Sequence, residues 1–343
     1  MKKAIYLVFV FFQLMSVKEI SAQKSFSKQK INSQIEQLVY EGKFSGSVLY
    51  YKNNAILFDK SYGFANRQAN IKNGKGFKYN LGSINKLFTK IAITKLIMEG
   101  KLTLNDFAKK HVPELREKNT HKITIYHLLT MTSGFGDYLS DKEFTSNRKL
   151  YTKMSDYLPL ILQKELTFEP GSDRGYSNVG YELLGIIIER VSGMDYYKYI
   201  QENIFDIAGM KNTGYYTFDD KVKDLSIGYH KDSNGNTLPN WNFKSYKGTA
   251  AGGGYSTVYD MLSLAKVLLT YKILDKNHTD LLCKKFNIAN NRYYYISAAG
   301  GGPGINARLY LNRTKKEITV VLANQDSPSA NLVNDIFKEM SKK

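Results

Sequence analysis

Apolar residues recur at helical spacing in Ile31, Ile35, Leu38 and Val39, and the pattern predicts a helix over 31–40. Two strand-like runs follow, 44–51 and 55–62, rich in Val, Leu, Tyr and Phe, with Lys52-Asn53-Asn54 as the hairpin turn between them. Beyond the run 77–81, a second helical pattern carries Leu87, Ile91, Leu96 and Ile97 and stops at Gly100. From Lys101 to about Tyr246 the pattern is helices and loops. One helix opens at 123–129 and stops at Ser133-Gly134, a second spans 178–192 and ends at Gly193, and a third spans 196–205 and is closed by Gly209. Strand patterns return at 293–297, 305–311 and 317–323, the last two joined by the polar turn 312–316, and 331–338 is a final helix.

Strands near both ends with helices between them predict an α/β (α+β) fold. An antiparallel sheet flanked by helices is built from both chain ends, with a mostly helical region inserted. The sheet part takes about 31–105 and 247–343, the helical part about 106–246, inside one domain over 23–343. A cleft between the two parts is the natural place for a site.

Composition narrows the function. With 343 residues, 43% of them hydrophobic, the chain can bury a sizeable core. The single cysteine, Cys283, cannot form an intramolecular disulfide and reads as a buried structural thiol; no Cys/His spacing suits zinc. Met1-Lys2-Lys3, an apolar run to about Met15 and Ile20-Ser21-Ala22 read as a secretory signal cut after Ala22, so the mature protein is expected to be exported, periplasmic or secreted. The formal charge of +18 falls to +16 when residues 1–22, with Lys2, Lys3, Lys18 and Glu19, are removed. Its lysines are scattered, with no arginine-rich or aromatic-interleaved block, so nucleic acid is not an expected partner. Electrostatic association with an anionic cell surface is compatible with that charge.

The candidate chemistry lies in Gly82-Ser83-Ile84-Asn85-Lys86. Residues three apart share a helix face, a serine in the first turn feels the positive helix end, and a buried lysine can take its proton. Spacing alone is weak, because Ser21, Ser25, Ser27, Ser146 and Ser263 also have a lysine three residues on. Tyr-x-Asn is equally common: it occurs at Tyr51, Tyr176 and Tyr310. The histidines, His127 among them, accompany no Gly-x-Ser-x-Gly segment, which argues against a Ser-His-Asp triad; His127 reads as a packed structural residue.

Order lifts one set out. Leu81–Thr89, Ile123–Gly134, Glu169-Pro170-Gly171 with Tyr176–Tyr181, Ala251–Thr257 with Asp260, and Gly300–Gly304 follow one another along the chain. Together they resemble the serine β-lactamase and penicillin-binding-protein superfamily, nearest its class C β-lactamase, D-alanyl-D-alanine carboxypeptidase and esterase branch, over about residues 35–340. The resemblance implies Ser83 as nucleophile and Lys86 as its base. It implies Tyr176 as a proton relay whose phenol a nearby ammonium acidifies, and Asn178 as a partner of Lys86 or of the substrate amide. The backbone N–H groups of Ser83 and Gly301 would form the oxyanion hole, with Gly300 beside them lining the cleft. One departure stands out. The basic or polar residue of the family's third motif falls at Ala298, which puts recognition of a substrate carboxylate and activation of Tyr176 in question.

The resemblance therefore implies an exported serine acyl hydrolase acting on an ester or amide, its substrate a small-molecule or cell-wall-derived acyl compound, with no metal or organic cofactor. Two alternatives stand beside it: a class C-type β-lactamase or D-alanyl-D-alanine carboxypeptidase, and a catalytically impaired binding or regulatory protein on the same fold. The sequence leaves the oligomeric state and the identity of the acyl group open.

Overall fold

The computed structural model describes residues 28–115, 118–217, 219–243, 245–284 and 295–341. The leader expected over 1–22 and the side chain of Cys283 lie outside them. The elements that frame the site are, in chain order, helix α1 (28–40), strands β1 (Gly46–Lys52) and β2 (Ala55–Tyr62), helices α2 (Asn85–Met98), α3 (Ile125–Thr130), α4 (Val179–Ser192) and α5 (Val258–Leu269), strands β3 (Tyr295–Gly302), β4 (Ile305–Asn312) and β5 (Glu317–Ala323), and helix α6 (Ser329–Ser341).

The five strands form one antiparallel sheet in the order β2-β1-β5-β4-β3. The two chain ends meet where β1 pairs with β5, Gly46 opposite Ala323 through Lys52 opposite Glu317. The turn at Asn53-Asn54 has positive φ at both residues, the geometry that matches strand twist in a tight hairpin. Side chains alternate between the two faces of a strand. Ile318, Val320 and Leu322 therefore enter the large core that contains Phe88, Ile91 and Leu184, while Val321 and Ala323 enter a smaller one under α1 and α6 with Ile35, Val333 and Phe337. All seven residues of β5 are buried, because helices cover both faces.

Helix α2 lies at the centre of the larger core and packs against α4. Ten of its fourteen residues are buried, so it has little polar face, as expected for a helix enclosed on most sides. Gly100 follows it with a φ of 71°, the left-handed turn that ends a helix. Strand β3 runs further than the periodicity implies. The sequence pattern ends at Ser297, whereas pairing continues through Gly302 opposite Ile305, and the reversal falls at Pro303-Gly304. Three glycines have weak strand propensity, but the ladder to β4 holds them extended.

Candidate active site

Ser83 sits in a single 3-10 turn, Gly82–Ile84, that runs directly into α2. Gly82 has a φ of 49°, a left-handed conformation that a side chain resists, and a Cβ there would lie 3.0 Å from the Gly301 nitrogen. Strand β3 thus passes against the Ser83 turn at close backbone range. On the other side a Cβ on Gly300 would lie 1.9 Å from the Leu81 carbonyl oxygen and 3.1 Å from the Ser83 nitrogen. The Ser83 and Gly301 amides are therefore brought to one place by glycines that allow no side chain between them.

One turn on, Lys86 is 5% exposed. Its Nζ donates to Asn178 Oδ1 and to the Ala251 carbonyl, each at 2.6 Å, and lies 3.4 Å from Ser83 Oγ. It also lies over the rings of Tyr176 and Tyr181. Burial pushes its pKa down to about 7, against the opposing pull of the Glu182 and Asp137 carboxylates. Ser83 Oγ and the Tyr176 hydroxyl are 2.5 Å apart. Tyr176 differs from expectation. The resemblance implied an acidified phenol; although Tyr176 is 55% exposed as a residue, desolvation at its hydroxyl raises the pKa and outweighs the Ser83 hydrogen bond, with Asp137 adding to the rise.

Asn178 precedes α4, and its amide bridges two groups: Oδ1 accepts from Lys86, and Nδ2 donates to Asp137 Oδ2 at 2.7 Å. The loop carrying Asp137 leaves α3 through Met131 and Gly134, both with positive φ; a Cβ on Gly134 would lie 2.2 Å from the Phe168 carbonyl oxygen. The loop then lies along the start of α4, where the Gly136 carbonyl accepts from Ser177 Oγ and from the Val179 amide. The start of α3 shows what His127 does. Thr124 Oγ1 accepts from the His127 amide and the His127 ring accepts from the Thr124 amide, so this half-buried residue is a helix cap as well as a packed one.

The structure brings Ser83, Lys86, Tyr176, Asn178, Gly300 and Gly301 to one cleft of about 720 Å³, except that Lys86 lies beneath its surface. Ala298 does not line it. Ala298 is half-buried against the large core, and its neighbour Ala299 faces the cleft instead. Asp260 lies apart as well, accepting from the Asn212 amide and Thr213 Oγ1 to tie a loop to α5.

Sequence reasoning missed Asp137, Thr249, Glu182 and Arg308, and the aromatic wall of Tyr216, Trp241 and Phe243. The glycine run after Thr249 marked one end of this set. Nothing in the linear pattern marked Arg308 or the wall.

The Beta-lactamase family model matches residues 31–338. Protein flp of Staphylococcus aureus strain N315 is 34% identical over 207 residues, 59% of this chain and 41% of flp, so the match spans about two fifths of that relative's length. The putative penicillin-binding protein PbpX of Bacillus subtilis is 26% identical over 333 residues, 94% of this chain and 82% of PbpX. Among solved structures, a penicillin-binding protein from Bacillus halodurans superposes with a TM-score of 0.81 at 29% identity, covering 89% of this chain and 98% of that one.

Proposed function

The chain belongs to the beta-lactamase family, whose fold is that of serine hydrolases, and from that premise we propose that it is a serine acyl hydrolase that forms an acyl-enzyme on Ser83. The observation that carries this reading is the set of partners around Lys86. Lys86 Nζ donates to Asn178 Oδ1 and the Ala251 carbonyl, which hold it 3.4 Å from Ser83 Oγ. So held, and with its pKa lowered by burial, the side chain can lose a proton near neutral pH and take the one from the serine.

Of the two groups beside Ser83 Oγ, burial makes Lys86 the one that reaches its basic form near neutral pH, because it raises Tyr176. Ser83 Oγ bonds to the substrate carbonyl carbon while its proton moves to Lys86. The carbonyl electron pair moves to the oxygen, facing the Ser83 and Gly301 amides. Collapse expels the leaving group, which takes a proton from Lys86 by way of Tyr176. In deacylation water attacks the ester on Ser83, gives its proton through Tyr176 to Lys86, and Ser83 leaves protonated.

The cleft favours an apolar or aromatic group on the substrate, since Leu139, Tyr216, Leu225, Trp241 and Phe243 line it. That supports an esterase or an amidase over a strict β-lactamase. Arg308 favours a second reading. It lines the same cleft beside Ala299, makes no ion pair among the described residues, and donates from Nε to Asn331 Oδ1 at 2.5 Å. A substrate carboxylate, as on a β-lactam or a D-alanyl-terminated peptide, suits such a guanidinium.

Intact mass spectrometry after incubation with p-nitrophenyl esters, β-lactams and D-aminoacyl peptides tests both readings, with Ser83→Ala as the control. An adduct of acyl mass on the wild type only supports the hydrolase, and its identity chooses the substrate class. No adduct and no turnover with any of them would leave the impaired binding protein as the better reading.

A further inference from the structure

Glu182 is a buried acid behind the site that the mechanism above does not use. It lies in the first turn of α4, four residues after Asn178 and on the same helix face. An acid in a first turn suits the helix dipole, but an exposed one would serve that purpose without losing its hydration. Glu182 is 0% exposed, so something else must fix it there.

Its Oε1 accepts from the Tyr138 hydroxyl at 2.5 Å and from Thr249 Oγ1 at 2.7 Å. Each donor leads to Lys86. Thr249 Oγ1 accepts in turn from the Ala251 and Gly252 amides at 3.2 and 3.3 Å, closing the turn whose Ala251 carbonyl holds Lys86. Tyr138 follows Asp137, which grips the Asn178 amide that holds Lys86 from the other side. Glu182 Oε2 is buried with no hydrogen bond of its own, so beyond the two bonds to Oε1 the carboxylate is steadied by the nearby Ala251 amide and by the charge of Lys86.

We propose that Glu182 is a positioning residue for the base: one buried oxygen steadies both groups that hold Lys86, and its charge sets how tightly Lys86 keeps its proton. The proposal rests on the hydrolase reading given above.

The groups facing Glu182 leave Lys86 as its electrostatic partner. They are Tyr138 and Tyr157 from the helical region, Tyr196 and Tyr197 from the helix Tyr196–Ile200, Tyr215, and Lys86 from α2. Burial raises every one of those phenols, so they stay neutral and act as dipoles. Lys86 is faced in turn by Glu182, Asp137 and Lys90, and lies over the Tyr176 and Tyr181 rings. Burial pushes the Glu182 carboxyl up to about 7, against the hydrogen bonds from Tyr138 and Thr249 and the charge of Lys86, so the two groups titrate as a pair; an ionised Glu182 favours the ammonium, whereas a residue that cannot ionise releases the free amine at lower pH.

Glu182→Gln separates the two roles, because an amide oxygen still accepts from Tyr138 and Thr249 but carries no charge. The acid limb of kcat/KM on p-nitrophenyl acetate should move to lower pH by about one unit in Glu182→Gln. Glu182→Ala, which loses both arms, should lose about 10²-fold in kcat with little change in KM. An unmoved or upward-shifted acid limb in Glu182→Gln overturns the proposal. If the wild type turns over no substrate, the hydrolase reading has failed instead. A titration of 13C-labelled Lys86 by NMR, its signal identified by loss in Lys86→Met, then decides without catalysis. A lower midpoint in Glu182→Gln supports the proposal, and an equal or higher one overturns it.

Discussion

Gly300→Ala probes the proposed oxyanion wall through backbone geometry alone. A Cβ at 300 would lie 1.9 Å from the Leu81 oxygen, where ordinary contact begins near 3.4 Å, so strand and nucleophile turn must part by about 1.5 Å. Neither neighbour is a flexible side-chain end: the close atoms are Leu81 O, Leu81 C and Ser83 N. Parting them separates the Gly301 amide from the Ser83 amide, equivalent to removing one oxyanion donor. Loss of such a donor costs roughly 10²–10³ in kcat, or about 2.7–4 kcal/mol of transition-state stabilisation. Overpacking should also cost about 1–3 kcal/mol of stability. The control is Gly302→Ala, two residues on, where the nearest atom is the Ile305 Cδ1 methyl at 3.8 Å. The assay is pre-steady-state acylation by a p-nitrophenyl ester, with thermal melting to report folding. The expected result is a folded Gly300→Ala with acylation down about 100-fold or more and Gly302→Ala within a few-fold of wild type. A Gly300→Ala enzyme that acylates at the wild-type rate would refute the assignment of this strand as one wall of the hole.

Three further outcomes are expected. If the neutral amine of Lys86 is the base, as proposed, then with burial holding it at about 7 kcat/KM should rise with pH through about 7, and Lys86→Arg, which cannot deprotonate, should lose about 10²–10⁴ in acylation at every pH tested. Arg308→Ala should lower kcat/KM for carboxylate-bearing substrates at least tenfold while leaving neutral esters nearly unchanged; equal losses on both would remove the carboxylate reading. Burial also holds Lys90 at about 8, below the ~10.4 of an unfolded lysine, so the unfolded chain binds more protons between those values and stability rises with pH across that window. Below about pH 8 the full penalty stands, so the melting temperature of Lys90→Met relative to the wild type should be higher at pH 6.5 than at pH 10, and melting curves at the two pH values check the sign.

Much of this fold is legible in the sequence because its signals are local. The α2 stop at Gly100, the Asn53-Asn54 hairpin and the helix ends at Gly193 and Gly209 each depend on a residue that adopts positive φ. Ser83 and Lys86 stand out for a different reason: five other serines share their spacing, and only the order of the segments along the chain singles them out. The end of β3 was not, because the pairing of Gly300, Gly301 and Gly302 with β4 is imposed by a partner strand and not by propensity. Glu182 was hidden for a related reason. It reads as an ordinary first-turn acid until Tyr138 and Thr249, distant in sequence, close over it.

The alanine of the third motif shows how far a linear motif can describe electrostatics. Read along the chain, Ala298 removes a cation and puts recognition of a substrate carboxylate in question. In the sheet, Ala298 stands opposite Leu309 on the face that packs into the core, whereas Ala299 stands opposite Arg308 on the alternate face. One residue along a strand changes the face: Gly300, against the Ser83 turn, shares the face of Ala298, whereas Ala299 and its cross-strand partner Arg308 line the cleft from the α6 side. The charge on that side comes from β4, held in place by Asn331 of α6, and not from β3. A guanidinium so placed offers a planar, paired donor where a lysine offers a single point charge. A substrate selected by this cleft should therefore be chosen by the direction of its anionic group as well as by its presence. The comparison of carboxylate and neutral substrates on Arg308→Ala tests that geometry directly, and Arg308→Lys separates direction from charge: restored charge without restored rate identifies the fork as the selective element.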